Sequence, residues 1–161
     1  MKRIGSGWTY NVYEYDSQRV IKKKKQILDR VFKILKGDPR LIFSIRTTIK
    51  RLDDLNRESF KFIKKLENTN FDFGAIGNPS FSSEFEYIQD RCTPTIAFIS
   101  DDYKVREIVE EYIKQIKYFW TFGFADIVFN FTINNGFNNR GSMVLFDFNE
   151  ITVHKDQVVL D

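Results

Sequence analysis

Apolar residues recur along the chain at intervals that shift from two to three or four and back again. Residues 3–14 and 18–25 are rich in Tyr, Val and Ile, and Asp16-Ser17-Gln18 separates them, a pattern that predicts a β-hairpin. Over 26–36 the apolar positions Ile27, Val31, Ile34 and Leu35 fall at helical spacing, and Gly37-Asp38-Pro39 ends the run. A longer helix is predicted over about 41–67, with Ile45, Ile49, Leu52, Leu55, Phe62 and Leu66 along one stripe. Residues 69–79, which hold Gly74, Gly77 and Pro79, read as loop, and 80–92 as one or two strands broken by Thr93-Pro94. From Asp101 to Phe122 a third helix gathers Val105, Ile108, Val109, Tyr112, Ile116 and Phe119 on one face, and Gly123 stops it. A loop over 124–129, a strand over 130–134, a turn from Asn134 to Gly141 and a strand from Met143 to Phe148 complete the pattern. Strands, helices, strands, helix and a final hairpin make an α+β fold.

Composition narrows this picture. The 161 residues suffice for one domain with a continuous core. No repeat or linker divides them, so a single domain over 1–161 is expected, with a first lobe over about 1–92 and a second over about 93–161. Hydrophobic and charged fractions of 42% and 29% exclude a disordered chain, and the 17 Phe supply aromatic core area. The net charge of +3 spreads 25 basic among 22 acidic residues, without the basic face or arm of a nucleic-acid binder. The visible basic cluster is Lys22 to Lys25, whose last three residues read as a strand end entering solvent. A lone Cys92 excludes an internal disulfide and fits a reducing compartment. No apolar leader opens the sequence, and no stretch approaches the ~20 apolar residues of a membrane span. These features predict a cytoplasmic protein with no membrane partner. His154 stands among Lys155 and Asp156 with no Cys or other His nearby, which argues against a metal role.

Three segments carry chemistry. The first is Ile4-Gly5-Ser6-Gly7-Trp8-Thr9-Tyr10-Asn11-Val12, where Gly5 and Gly7 let backbone N–H groups approach phosphate oxygens and Val12 would cover one face of a purine. The second is Val20-Ile21-Lys22: a lysine on a buried strand must aim its ammonium at something negative. In the third, Asp126 follows the long helix, Asn130 opens the next strand, and Asp147 ends that strand's partner. Oxygen donors gathered at one end of a hairpin suit Mg²⁺ held together with phosphates.

In this order the segments resemble the protein-kinase-like superfamily, and the chain looks like its compact bacterial members from Ile4 to Glu150. The resemblance implies an N-terminal β-sheet lobe with a helix and a reduced C-terminal helical lobe carrying a β-hairpin. It implies ATP and Mg²⁺ as cofactors, with Gly5, Ser6 and Gly7 in the glycine-rich loop and Lys22 anchoring the phosphates. Glu58, in preference to Glu67, would hold Lys22 from the helix, and Glu86-Tyr87-Ile88 would pair with adenine as the hinge. Asp126 would be the base, Asn130 a metal ligand with Asn134 as a competitor, and Asp147-Phe148-Asn149 the Asp-Phe-Gly metal motif.

The departures are equally specific. Phe124-Ala125-Asp126 stands where the family has His-Arg-Asp, and Asp126 and Asn130 are one residue closer than the family spacing. Only fourteen residues follow Asp147, so the activation segment and substrate-binding helices have no sequence to occupy. A protein partner or a second copy of the chain would then cover the reduced lobe. The expected activity is phosphate transfer to an acceptor the sequence does not name, and the alternative is a pseudokinase that binds nucleotide or a partner without turnover.

Overall fold

The structure is a computed structural model that describes residues 1–99, 102–126, 131–148 and 151–152. Its fold is mixed α+β. The N-terminal segment forms three strands where two are expected: β1 (Arg3–Ser6), β2 (Tyr10–Glu14) and β3 (Arg19–Lys24). The run 3–14 folds back on itself because Gly7 N–H donates to Tyr10 O at 3.0 Å and closes a turn inside it. At the second turn the Asp16 carboxylate accepts from the N–H groups of Gln18 and Arg19, the local bond for which Asp is favoured in turns. β4 (Ser80–Ser83) and β5 (Glu86–Asp90) complete a five-stranded sheet in the order β1-β2-β3-β5-β4, every pairing antiparallel.

Helices α1 (Ile27–Gly37) and α2 (Ile45–Leu66) lie where the periodicity puts them, but a 3₁₀ stretch, Pro39–Ser44, occupies the expected start of the second. Asp38 caps that stretch, its carboxylate accepting from Arg40 N–H at 3.0 Å. The buried face of α2 is Ile49, Asn56, Ser59, Ile63 and Leu66, while Leu52, Leu55 and Phe62 flank it half-buried. Two polar residues therefore occupy the middle of the face turned to the sheet, and Asn56 Oδ1 accepts a 2.9 Å bond from Tyr10 Oη.

After β5 come β6 (Thr93–Pro94), α3 (Asp102–Thr121), β7 (Ala125–Asp126), α4 (Phe131–Asn134), β8 (Asn135–Phe137), β9 (Met143–Leu145) and β10 (Ile151–Thr152). Of the strand expected over 130–134, the described residues Phe131–Asn134 are instead the short helix α4, and pairing with β9 begins one residue later, at Asn135 opposite Leu145. Alternation over so few residues does not separate a strand from a helical turn. The strand expected over 143–148 likewise stops at Leu145, because Phe146 and Asp147 turn their N–H groups onto Asn134 O. β6, β8 and β9 form a small sheet, and β7 pairs with β10. Gln115 of α3 ties these pieces together: its amide donates to Ala75 O and Met143 O and accepts from Asn135. At Gly136 any Cβ would overlap the Thr93 carbonyl, so β8 can lie beside β6 only as glycine. No described helix is long and apolar enough to cross a membrane.

The core is largely aromatic. Phe71 meets the rings of Phe73, Tyr118, Phe119, Phe122 and Phe124, and Phe124 stacks on Phe119 with centroids 4.6 Å apart. Phe124 is 1% exposed, whereas Phe43 is 99% exposed. We expect Phe124→Ala to lower the unfolding free energy by about 3–5 kcal/mol and Phe43→Ala to change it by less than about 0.5 kcal/mol. Urea titration of both variants measures the difference.

Candidate functional site

Register places the candidate residues. Val12, Lys22, Tyr87 and Phe81 are successive cross-strand partners on β2, β3, β5 and β4, so one row of side chains runs across the inner face of the sheet. Lys22 is the cation in that row, its side chain only 7% exposed. Its ammonium donates to Phe146 O at 2.7 Å and lies 3.6 Å from Asp147 Oδ1, with the rings of Tyr87 and Phe146 within 5.7 Å. Burial draws the Lys22 pKa below its ordinary value, and the Asp147 carboxylate pulls it back up. Asp147 itself is 44% exposed, so the pair has a dry positive end and a wet negative end.

Asp147 is held by the turn after β9. The N–H groups of Phe146 and Asp147 both donate to Asn134 O, at 3.0 and 3.2 Å. Phe148 then enters the core, 2% exposed and 5.2 Å from the Tyr87 ring. Of the two candidate asparagines, Asn134 is the one the described structure sets beside Asp147. Asn130 lies outside the described residues, as does the side chain of Asp126, whose backbone pairs with Ile151.

Other candidates are arranged differently from the expectation. Glu58 is exposed, and the acidic partner of Lys22 is Asp147. A strand-to-helix ion pair does form two residues along β3, where Lys24 Nζ meets Asp53 Oδ2 of α2 at 3.0 Å. Asp53 also binds the buried Arg30 of α1, at 2.8 Å. Lys22 and Lys24 share a face by simple alternation, the one sequence signal for this pair. Glu86, Tyr87 and Ile88 lie inside β5, paired with β3 on one side and β4 on the other. The interior of a sheet leaves such backbone groups no free edge to offer a base, which corrects the expected hinge. Glu86 uses its carboxylate on Lys23, at 3.2 Å on the outer face.

The glycine hairpin is fixed on its outer side. Lys25, 7% exposed, donates to Gly7 O at 2.6 Å, and the Trp8 indole packs over Gly37. Of the three lysines expected to enter solvent, Lys23 does so, its side chain 42% exposed, while Lys24 is sent inward to Asp53 and Lys25 folds back onto the turn. Gly5 and Ser6 pair with Val12 and Asn11, and the space over Gly7 is open, with no atom near an added Cβ.

Cys92, close enough to Lys22 to feel its charge, has its thiol pKa pushed up to about 12 by burial and Asp90, against the pull of Lys22. Compared with known proteins, the chain matches no family model and no curated protein. The raised thiol pKa lowers the thiolate fraction at pH 8 by roughly 1000-fold. Iodoacetamide labelling of Cys92 at that pH should be at least about a hundredfold slower in the folded protein than in 8 M urea.

Proposed function

We propose that this chain is a protein-kinase-like protein that binds ATP with Mg²⁺ and transfers phosphate to an acceptor, its centre being Lys22 and Asp147. One observation carries this reading. The strand lysine and the carboxylate, 125 residues apart in sequence, meet at 3.6 Å under the glycine hairpin's sheet. Val12 lies opposite Lys22 in register, where a purine would contact it, and the open space over Gly7 leaves room for phosphate.

The donor set fits the metal only in company with phosphate. Among the described residues no group of three or more His, Cys, Asp or Glu gathers to hold a metal ion. Mg²⁺ keeps most of its waters and is ordinarily held by one or two carboxylates plus substrate phosphates. Asp147, half-exposed, is a carboxylate of that kind, and Asn134 lies next to it through the backbone. Bound Mg²⁺ would supply charge neutralisation between phosphate oxygens. Lys22 would contribute a cation that cannot be hydrated and therefore acts at high strength on any phosphate near Asp147.

A second reading, a pseudokinase that serves as a protein-interaction module, is favoured by the double pairing of Glu86–Ile88 and by the Lys22 bond to Phe146 O. Both commit to the fold groups that a kinase would use to hold its nucleotide.

The test is thermal unfolding with ATP, with and without MgCl₂. A ligand at 100 times its Kd stabilises by about 2.7 kcal/mol, which for a chain of this size shifts Tm by about 5–10 °C. We expect a magnesium-dependent shift that both Lys22→Met and Asp147→Asn abolish. Without nucleotide, Lys22→Met should lower Tm modestly, because it keeps the apolar stem but leaves Phe146 O without its Lys22 donor. No shift in the unaltered protein overturns nucleotide binding and favours the second reading. A shift without Asp147-dependent phosphate transfer overturns the transfer and leaves the binding.

A further inference from the structure

We propose that the chain carries a phosphate-binding site on the outer side of the glycine hairpin, separate from Lys22 and Asp147. A cavity of about 270 Å³ opens between the β1–β2 hairpin and α1, lined by Arg3, Lys25, Lys33 and Lys36 together with Asn11 and Asp29. Asn11 adjoins Val12 on β2, so strand alternation sets it on the opposite face from Lys22. Four cations against one carboxylate make the cavity strongly attractive to an anion.

The deepest of the cations is Lys25. Gly7 O takes one of its N–H groups, and an ammonium has three. Burial, reinforced by the charge of Lys33, weakens its hold on its proton, while Asp29 acts in the opposite sense. An anion in the cavity would relieve both the lost hydration and the repulsion among Lys25, Lys33 and Arg3. Half-buried Lys33 and exposed Lys36 stand on α1 one turn apart, a spacing that places both on the same side of the helix.

One acceptor selects the kind of anion. The Asp29 carboxylate lines the cavity. A fully ionised oxyanion such as sulfate offers it no proton. Phosphate near pH 7, free or as a monoester below its second ionisation, retains a P–OH that can donate to Asp29 while its other oxygens face the cations. The volume is many times the roughly 30 Å³ of one water, and the exposed ring of Phe32 at the rim would receive a short ester substituent. The site therefore takes a protonated phosphate group and discriminates against sulfate.

Calorimetric titration of the full chain with sodium phosphate at pH 6.5, with sodium sulfate at matched ionic strength, tests this. Saturable binding is expected, at least about tenfold tighter for phosphate than for sulfate. Glycerol 3-phosphate in a third arm distinguishes the source: tighter binding than inorganic phosphate assigns the site to monoesters, and equal or weaker binding assigns it to free phosphate. The paired substitutions Lys33→Glu and Lys36→Glu on α1 should weaken phosphate at least about tenfold without moving the urea midpoint. Lys25→Gln, which also loosens the Gly7 turn, is checked by the same midpoint. Binding must survive in Lys22→Met, which separates this site from the proposed nucleotide centre. Equal affinity for sulfate and phosphate, no saturable binding, or binding unchanged by the α1 substitutions overturns the proposal.

Discussion

A buried ammonium has to be met by an oxygen, and the oxygens that meet Lys22 come from the far end of the chain. The bond to Phe146 O joins the middle strand of the large sheet to the turn after β9, across 124 residues of sequence. The C-terminal pieces are arranged so that this turn falls under β3. Gln115 fastens β9 and β8 to α3, Thr95 donates to Asn135 O, and Gly136 lets β8 lie against β6 without a side chain between them. Asn134 O then gathers the N–H groups of Phe146 and Asp147. Each of these contacts is a local requirement of the small sheet, and together they deliver one carbonyl and one carboxylate to a lysine that has no water to turn to.

The periodic parts of this arrangement were legible in the sequence and the short parts were not. α1, α2 and α3 appear within a few residues of their predicted bounds because each repeats its apolar spacing over several turns. The face of α2 was not legible in full, since Asn56 and Ser59 break the apolar stripe where it meets Tyr10 and the sheet. The segment 131–134 was misread because Phe131 and Ile133 alternate over too few positions to distinguish a helical turn from a strand. For the candidate site, composition and order were enough to single out Lys22 and Asp147, but not the bond between them. Glu58 was chosen by its place on a helix, and a helix rotation of one residue decides whether a carboxylate faces the sheet. Asp53 occupies that position, and its partner is Lys24.

Lys22, Lys23, Lys24 and Lys25 show how little a charge run says before its geometry is known. A strand alternates its side chains, so consecutive lysines are sent to opposite faces and find different partners: Asp147, Glu86, Asp53 and Gly7 O. The same hairpin thus has a buried lysine on each side of it, one beneath Val12 and one behind Gly7. Pinned by Lys25 and by Trp8 over Gly37, its turn is held from the α1 side and open over Gly7.

Enclosed polar groups occur at several places among the described residues, and one of them is the inner face of the sheet. Apolar residues would fill the space beneath the sheet more favourably than Lys22, Asn56, Ser59 and Gln89, all 6% exposed or less. Ser59 Oγ and both amide atoms of Gln89 are enclosed without hydrogen-bond partners, and burial also drives the Tyr10 phenol pKa well above its ordinary range. Polar groups left in such a state lower stability unless something outside the chain's own packing uses them. The aromatic cluster around Phe71 and Phe124 shows that this sequence can build a tightly apolar core when nothing else is required of it. The inner face of the sheet around Lys22 is thus more polar than its packing alone requires.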